Sequence, residues 1–425
     1  MEVTISTLSQ IAQEAEIQVT SDELKPVFDR AFEKYRKKAE IRGFRKGKAP
    51  LDMIKRMYGE TIEYESLDDA ADAFYKKAME ERNIRPLGQP AMVDMDFKPG
   101  LHFRFKIKYE VRPPITLKKY KGLLVERPVH AVMQSEVDEE IEHLQRVNST
   151  TAAVETVTDA NHLVTADVQE MDDAGMPLIG KKTTGARFLL SDTTLSADIR
   201  DVLTAARVGE TYRAQFENRH DDHTHRMNIA LAVTGIEKVT LPALDDEFVR
   251  KITKEKVATR DEFLKNVRAD VERYWEDQAE RKVRDAIADE IVRTHEFEVP
   301  ESLVNGFLDA FVDDVKNRSK ERTLPKGFDE KRFREESRVH AVWQAKWMLL
   351  KEAIAREEGI SVTDEELEKI ATAEAGRVGI DKERLLAYYR SSSSATERLL
   401  SDKLMAFLRQ QAKVKDVAEQ EPGNR

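Results

Sequence analysis

The chain has 425 residues, no cysteine and a formal net charge of −10, with 35% of its residues charged and 40% hydrophobic. That length is too great for one ordinary core and points to roughly two to four domains, while the missing thiols exclude disulfides, thiolate zinc sites and cysteine nucleophiles. With a mean hydropathy of −0.59, no run of about 18 apolar residues, and no basic or apolar leader at its start, the sequence predicts a cytoplasmic protein that does not span a membrane.

The first section reads as α+β. Ile11 to Val19 is strand-like, and Leu101 to Tyr109 alternates apolar and polar residues at period two. Between them Thr20 and Glu23 have capping-box spacing, and Leu24, Val27, Phe28, Ala31, Phe32 and Tyr35 make one apolar helical stripe. The stripe fades at Glu40, a loop follows from Gly43 to Ala49, and Pro50 stands where a first helical residue is expected. A second amphipathic stretch carries Leu67, Ala70, Ala71, Phe74, Tyr75 and Ala78. Strands at the ends with helices between them predict a small sheet backed by helices.

Pro113-Pro114 closes that section. Ser135 to Val147 reads as a helix, and Val154 to Ile236 as a β-rich region of short alternating runs punctuated by glycine, with Met227 to Val233 as its closing strand. Beyond Leu241-Pro242 the pattern is almost all helical. Phe263, Val267, Val271 and Tyr274 start a long amphipathic run that continues through Val283, Ile287 and Ile291, and Val299-Pro300 breaks it. Trp343 and Trp347, at i and i+4, predict a buried helix face. Thr363 to Glu366 has capping-box spacing, and the run Ser391–Ser394 reads as a linker whose last serine caps the final helix.

Charge is unevenly placed. Lys34 to Met57 holds ten Lys or Arg against two Asp or Glu in an otherwise acidic chain, which suggests a local polyanionic docking partner rather than general nucleic-acid binding. At its centre lies Gly43-Phe44-Arg45-Lys46-Gly47-Lys48-Ala49-Pro50. The glycines permit a tight exposed loop, Arg45 can fork onto phosphate or carboxylate, the lysines act as point charges, and Phe44 can fill an apolar socket. A solvated helix connection with a basic surface has the same composition.

This segment resembles the docking signature Gly-Phe-Arg-x-Gly-x-x-Pro of the trigger factor family of ribosome-associated chaperones. Gly43, Phe44, Arg45, Gly47 and Pro50 fill its fixed positions, and Tyr120-Lys121-Gly122-Leu123, Phe297-Glu298-Val299-Pro300 and Ile360 to Leu367 follow in the family's order. The resemblance implies a multi-domain α+β chain. It places a ribosome-binding α+β domain at 1–113, a linker and a helix associated with the C-terminal domain at 114–153, and a middle domain like FK506-binding protein at 154–241. An all-helical chaperone domain follows at 242–418, then a disordered tail at 419–425. It also implies contact of Gly43, Phe44, Arg45, Lys46, Gly47, Lys48 and Pro50 with a ribosomal protein and rRNA beside the exit tunnel of the large subunit, shielding of nascent polypeptides, and homodimers of the free protein. No cofactor is expected, since no Gly-x-x-x-x-Gly-Lys-Ser/Thr loop is present.

The family's middle domain is a peptidyl-prolyl isomerase, and here the sequence departs. Where a Met-Ile-Pro-Gly-Phe-Glu-like stretch is expected stands Leu195-Ser196-Ala197-Asp198-Ile199-Arg200, and the flap region reads Phe216 to His223 without its aromatic-rich loop. Phe188, Tyr212 and Phe216 remain as candidate pocket aromatics, with ordinary β-core packing as their competing role. The expectation is the isomerase fold with weak or absent activity; the alternative is a working prolyl isomerase. His220-Asp221-Asp222-His223-Thr224-His225 has metal-ligand composition but reads as a polar hairpin tip, because strand alternation splays the side chains.

Overall fold

The structure is a computed structural model that describes residues 1–41, 44–172, 174–220 and 223–418, with the side chains of 216–220 and 223–226 outside the description. The chain forms two compact units, Met1–Arg127 with Glu280–Val417, and Pro128–Ala279.

The first unit opens with β1 (Glu2–Thr7), β2 (Ala12–Thr20), α1 (Ser21–Lys38), α2 (Leu51–Glu65), α3 (Leu67–Glu81), β3 (Leu87–Lys98) and β4 (His102–Glu110). The strands pair antiparallel in the order β1-β2-β4-β3. Period-two alternation in β2 and β4 sends Ala15, Ile17 and Val19, and Phe103, Phe105, Ile107 and Tyr109, to one face. There they meet Leu24 of α1 and Leu67, Ala70, Phe74, Tyr75 and Ala78 of α3. At the start of α1 the predicted reach-back is present: the Thr20 backbone N–H donates to the Glu23 carboxylate at 3.0 Å. The outer strands β1 and β3 were not legible as such, since neither shows a clean buried alternation.

The chain then runs extended to β5 (Leu124–Val129). His295 fastens this segment: its Nε2 accepts from the Lys118 backbone N–H at 2.8 Å, and its Nδ1 meets the Ile291 carbonyl at 2.7 Å.

The second unit holds α4 (Gln134–Val147), β6 (Thr150–Val154), β7 (His162–Met171), β8 (Pro177–Leu189), α5 (Ala197–Leu203), β9 (Thr211–His220), β10 (His223–Thr240), α6 (Asp246–Thr253) and the start of α7 (Arg260–Thr294). Its five-stranded antiparallel sheet is organised around β10, which pairs with β6, β7 and β9. The strand predicted from Met227 to Val233 continues to Thr240 through a bulge between Val233 and Gly235. The extra residue shifts the buried phase from Ile229, Leu231 and Val233 to Ile236, which hid the extension from a strict period-two reading. Val137 and Ile141 of α4 pack with Val249 of α6 and with Phe263 and Val267 of α7. Beside them the His130 ring stacks on Trp275 at 3.9 Å, and Glu136 accepts from the Trp275 indole at 3.0 Å.

Within the first unit α7 ends and is followed by α8 (Glu301–Asn317), α9 (Glu330–Glu357), α10 (Asp364–Val378), α11 (Lys382–Ser391), α12 (Ser393–Gln411) and β11 (Lys413–Ala418). Val283, Ile287 and Ile291 of α7 pack with Trp347 and Leu350 of α9 and Leu404 of α12. The capping box at α10 is reciprocal: the Thr363 N–H donates to Glu366 at 3.0 Å and the Glu366 N–H to the Thr363 hydroxyl at 3.3 Å. Two expectations are corrected. Ser392, not the last serine of the run, caps α12 by accepting from the Ala395 N–H at 3.3 Å, because α11 extends to Ser391 and leaves no longer linker. The segment read as all helical also closes on a strand, β11, which pairs with β5. Bidentate bonds at 2.8 Å from Arg127 to Asp416 and from Arg409 to Glu280 flank that pair; Arg409 holds the Glu280 carboxyl below its ordinary range.

The sheet of the first unit meets α8 closely. Glu110 accepts from the Glu301 and Ser302 backbone N–H groups at 3.1 and 2.9 Å and so caps the helix. Gly88 lies against Ser302 at φ +64, where an added Cβ would fall 2.3 Å from the serine Cβ. Gly88→Ala is therefore expected to cost about 2–4 kcal/mol, combining left-handed backbone strain with overpacking. Urea denaturation should show it as a lower midpoint, and an unchanged midpoint would mean that β3 moves away from α8 freely.

Candidate functional site

The exposed loop between α1 and α2 is built by its two ends. Helix α1 closes on Arg36, Lys37 and Lys38, cations that suit the negative end of the helix dipole, and the Ala39 N–H donates back to the Tyr35 carbonyl at 2.8 Å. Ile41 and Ala49 are then buried in an apolar cluster with Phe32 of α1 and with Ile54 and Ile62 of α2. They staple both ends of the loop into the helix pair. Neither residue fills a fixed position of the loop motif; an isolated isoleucine and an alanine flanking a polar turn show their role only when both helices are in place.

Between the staples the backbone makes two tight turns, with the Phe44 N–H donating to Ile41 at 3.0 Å and the Lys48 N–H to Arg45 at 2.9 Å. Gly47 sits at φ +78, the left-handed region in which a side chain is strained. Phe44, Arg45, Lys46 and Lys48 all point into solvent, as does Pro50, which is the N-cap of α2 rather than its first helical residue. Phe44 keeps 41% of its surface exposed although it is a large apolar side chain. Gly43 lies outside the described residues.

The charge of the segment is partly spent nearby. Arg36 pairs with Glu33 at 2.7 Å, Lys55 with Asp29 at 2.8 Å, Lys34 with Asp69 at 3.9 Å and Lys46 with Glu40 at 3.1 Å. Among the described residues Lys37, Lys38, Arg45 and Lys48 make no ion pair. These four surround Phe44 in sequence, so the loop offers one exposed ring among uncompensated cations. Exposed pairs such as Lys46–Glu40 are worth little in water and open readily to a better anionic partner.

The aromatic residues of the second unit are placed differently. Phe188 on β8 and Tyr212 on β9 are half-buried against the cluster formed by Val164, Leu203 and Leu231. The Tyr212 hydroxyl is occupied: it donates to Glu210 at 2.5 Å and accepts from the Arg207 N–H at 2.9 Å. The Glu210 bond and burial raise its pKa. The Phe216 side chain and the His220–His225 side chains lie outside the described residues, and no group of three or more potential metal ligands occurs among those described.

Large apolar side chains are exposed at scattered points: Met92 and Val93 on β3, Ile179 on the β7–β8 hairpin, Val339 on α9 and Tyr388 on α11. No described helix is long and apolar enough to cross a membrane.

Residues 1–144 match the family model of the bacterial trigger factor protein, and residues 259–410 match that of its C-terminus. The trigger factor of Salinibacter ruber is 29% identical over 430 residues, covering 96% of this chain and 93% of the relative. That of Chloroherpeton thalassium is 28% identical, covering 97% of each. A solved structure of the trigger factor chaperone, from work on promiscuous substrate recognition in folding and assembly, aligns over 97% of this chain with a TM-score of 0.50 at 20% identity, a likeness of fold. With two family models matching both ends of the sequence, full-length relatives, and an N-terminal α+β region, β-rich middle and helical remainder in the same order, the chain belongs to the bacterial trigger factor family.

Proposed function

We propose that this protein is an ATP-independent, cytoplasmic, ribosome-associated chaperone that docks through the loop 43–50 and shields nascent polypeptides. The observation that carries the docking site is the loop itself: an exposed phenylalanine among unpaired cations, held by two buried staples and a left-handed glycine. Phe44 enters an apolar socket on a ribosomal protein, and Arg45, Lys46 and Lys48 meet carboxylates or rRNA phosphates beside it. Preorganisation by Ile41 and Ala49 limits the entropy lost on docking. The exposed apolar residues suit client binding that is weak and reversible, since Met92, Val93, Ile179, Val339 and Tyr388 lie on separate elements (β3, β8, α9 and α11). The free chain pairs with a second copy under the same reading. Co-sedimentation with ribosomes tests the docking claim, and suppression of aggregation of an unfolded client without nucleotide tests the shielding claim.

For the domain at 154–241 the proposal is an isomerase-like fold with weak or absent catalysis of proline isomerisation. Phe188 and Tyr212 are engaged in the sheet's own packing and in the Glu210–Arg207 turn. The slow refolding phase of a proline-limited substrate, lasting tens of seconds, should therefore be unchanged by equimolar protein. Acceleration of that phase would restore the alternative, a working isomerase.

A further inference from the structure

Away from the docking loop, α9 and α12 leave a cavity of about 100 Å³ between them, lined by Met348, Leu400 and Leu404, with Glu352, Glu397 and Ser401 as its polar groups. Lys351 also lines it. Its ammonium has one hydrogen-bond partner among the described residues, the Ser401 hydroxyl, at 3.2 Å, and lies 5.9 Å from the centre of the Trp347 ring. No carboxylate forms an ion pair with it among the described residues: Glu352 is turned to Arg112 at 3.1 Å, and Glu397 is exposed. A half-buried amine beside apolar walls, held by one hydroxyl and the face of an indole ring and ion-paired to no carboxylate among the described residues, is pushed toward the neutral state that acts as a nucleophile. Burial lowers the Lys351 pKa, against the weaker opposing pull of Glu397, Glu352 and Asp402.

We propose that Lys351 is an acetylation site: its amine takes an acetyl group from an acyl phosphate into the cavity between α9 and α12. The nitrogen lone pair forms the new N–C bond to the carbonyl carbon. The C–O bond to phosphate breaks, phosphate leaves with that electron pair, and the proton released from nitrogen ends on the phosphate. The product amide is neutral, so the desolvation that disfavours the ammonium no longer applies. The cavity accommodates a two-carbon acyl group, whereas a longer acyl chain ending in a carboxylate would face Glu352 and Glu397. Acetylation also removes the only charge that the Lys351 side chain presents to the α9–α12 seam.

The test is incubation of the full chain with acetyl phosphate, reading the acetylation rate of each lysine by peptide mass spectrometry. At about pH 7 Lys351 should react severalfold faster than the exposed Lys37 and Lys119, and the lead should shrink near pH 10, where ordinary lysines also become neutral. Leu400→Phe, which fills the cavity, should remove the lead while circular dichroism stays unchanged, with Lys351→Arg as the blank for peptide assignment. A Lys351 rate equal to or below that of Lys37 and Lys119 at about pH 7 would overturn the proposal. So would a lead that does not change with pH, or one that survives Leu400→Phe.

Discussion

Replacing Phe44, Arg45 and Lys46 together with alanine is expected to abolish co-sedimentation with ribosomes at moderate salt while leaving the thermal unfolding profile unchanged. The three side chains are exposed and take no part in the cluster of Phe32, Ile41, Ala49, Ile54 and Ile62. Surface changes of this kind shift stability by no more than about 0.5 kcal/mol. Their loss from an interface is different. An aromatic anchor and an arginine are the residue types that dominate binding energy, and truncating such anchors costs about 2 kcal/mol or more each. Two such losses, about 4 kcal/mol together, weaken binding by about 700-fold, since each 1.4 kcal/mol is about tenfold. The single variants separate the kinds of partner. If the socket is protein, Phe44→Ala alone should remove most of the binding at every salt concentration. If the contact is mainly RNA phosphate, Phe44→Ala should matter little, and Lys48→Ala should reduce the salt slope. Equal pelleting of the native chain and the triple variant would show that the loop is only a basic helix connection.

The second large effect concerns Trp347. It is 8% exposed and packs with Val283, Ile287 and Ile291 of α7, Leu350 of α9, and Leu404 and Leu408 of α12. Trp347→Ala should destabilise the first unit by about 3–5 kcal/mol, the range for truncating a buried aromatic residue. Trp343, four residues earlier and only half-buried, should cost less, about 1–2 kcal/mol by the area it removes from water. The chain has two compact units, so the variant should be followed by tryptophan fluorescence in urea together with far-ultraviolet circular dichroism rather than by one midpoint. A Trp347→Ala chain that unfolds like the native one yet fails to hold an unfolded client would reverse the assignment and make Trp347 part of the client surface.

Much of this was legible in the residues alone, wherever one local signal acted by itself. The alternation of Leu101 to Tyr109 became β4, the spacing of Thr363 and Glu366 became a reciprocal capping box, and Trp347 became core. In each case backbone periodicity or a first-turn hydrogen bond settles the outcome within a few residues. The loop 43–50 was legible as an exposed turn carrying an aromatic residue among cations, a composition that a solvated helix connection shares, so the docking role proposed for it rests on the family resemblance and not on local pattern.

What the chain could not show locally was decided by partners distant in sequence. Strand β11 forms because β5, far earlier in the chain, offers it an edge, with Arg127 and Arg409 pairing the carboxylates beside it. Ile41 and Ala49 become staples only when α1 and α2 lie together, and Gly88 is required only because Ser302 lies against it. The cavity at Lys351 exists because α9 and α12 meet there. Local pattern fixes which face of an element is apolar; which other element covers that face depends on packing across the chain, and no short window of sequence contains it.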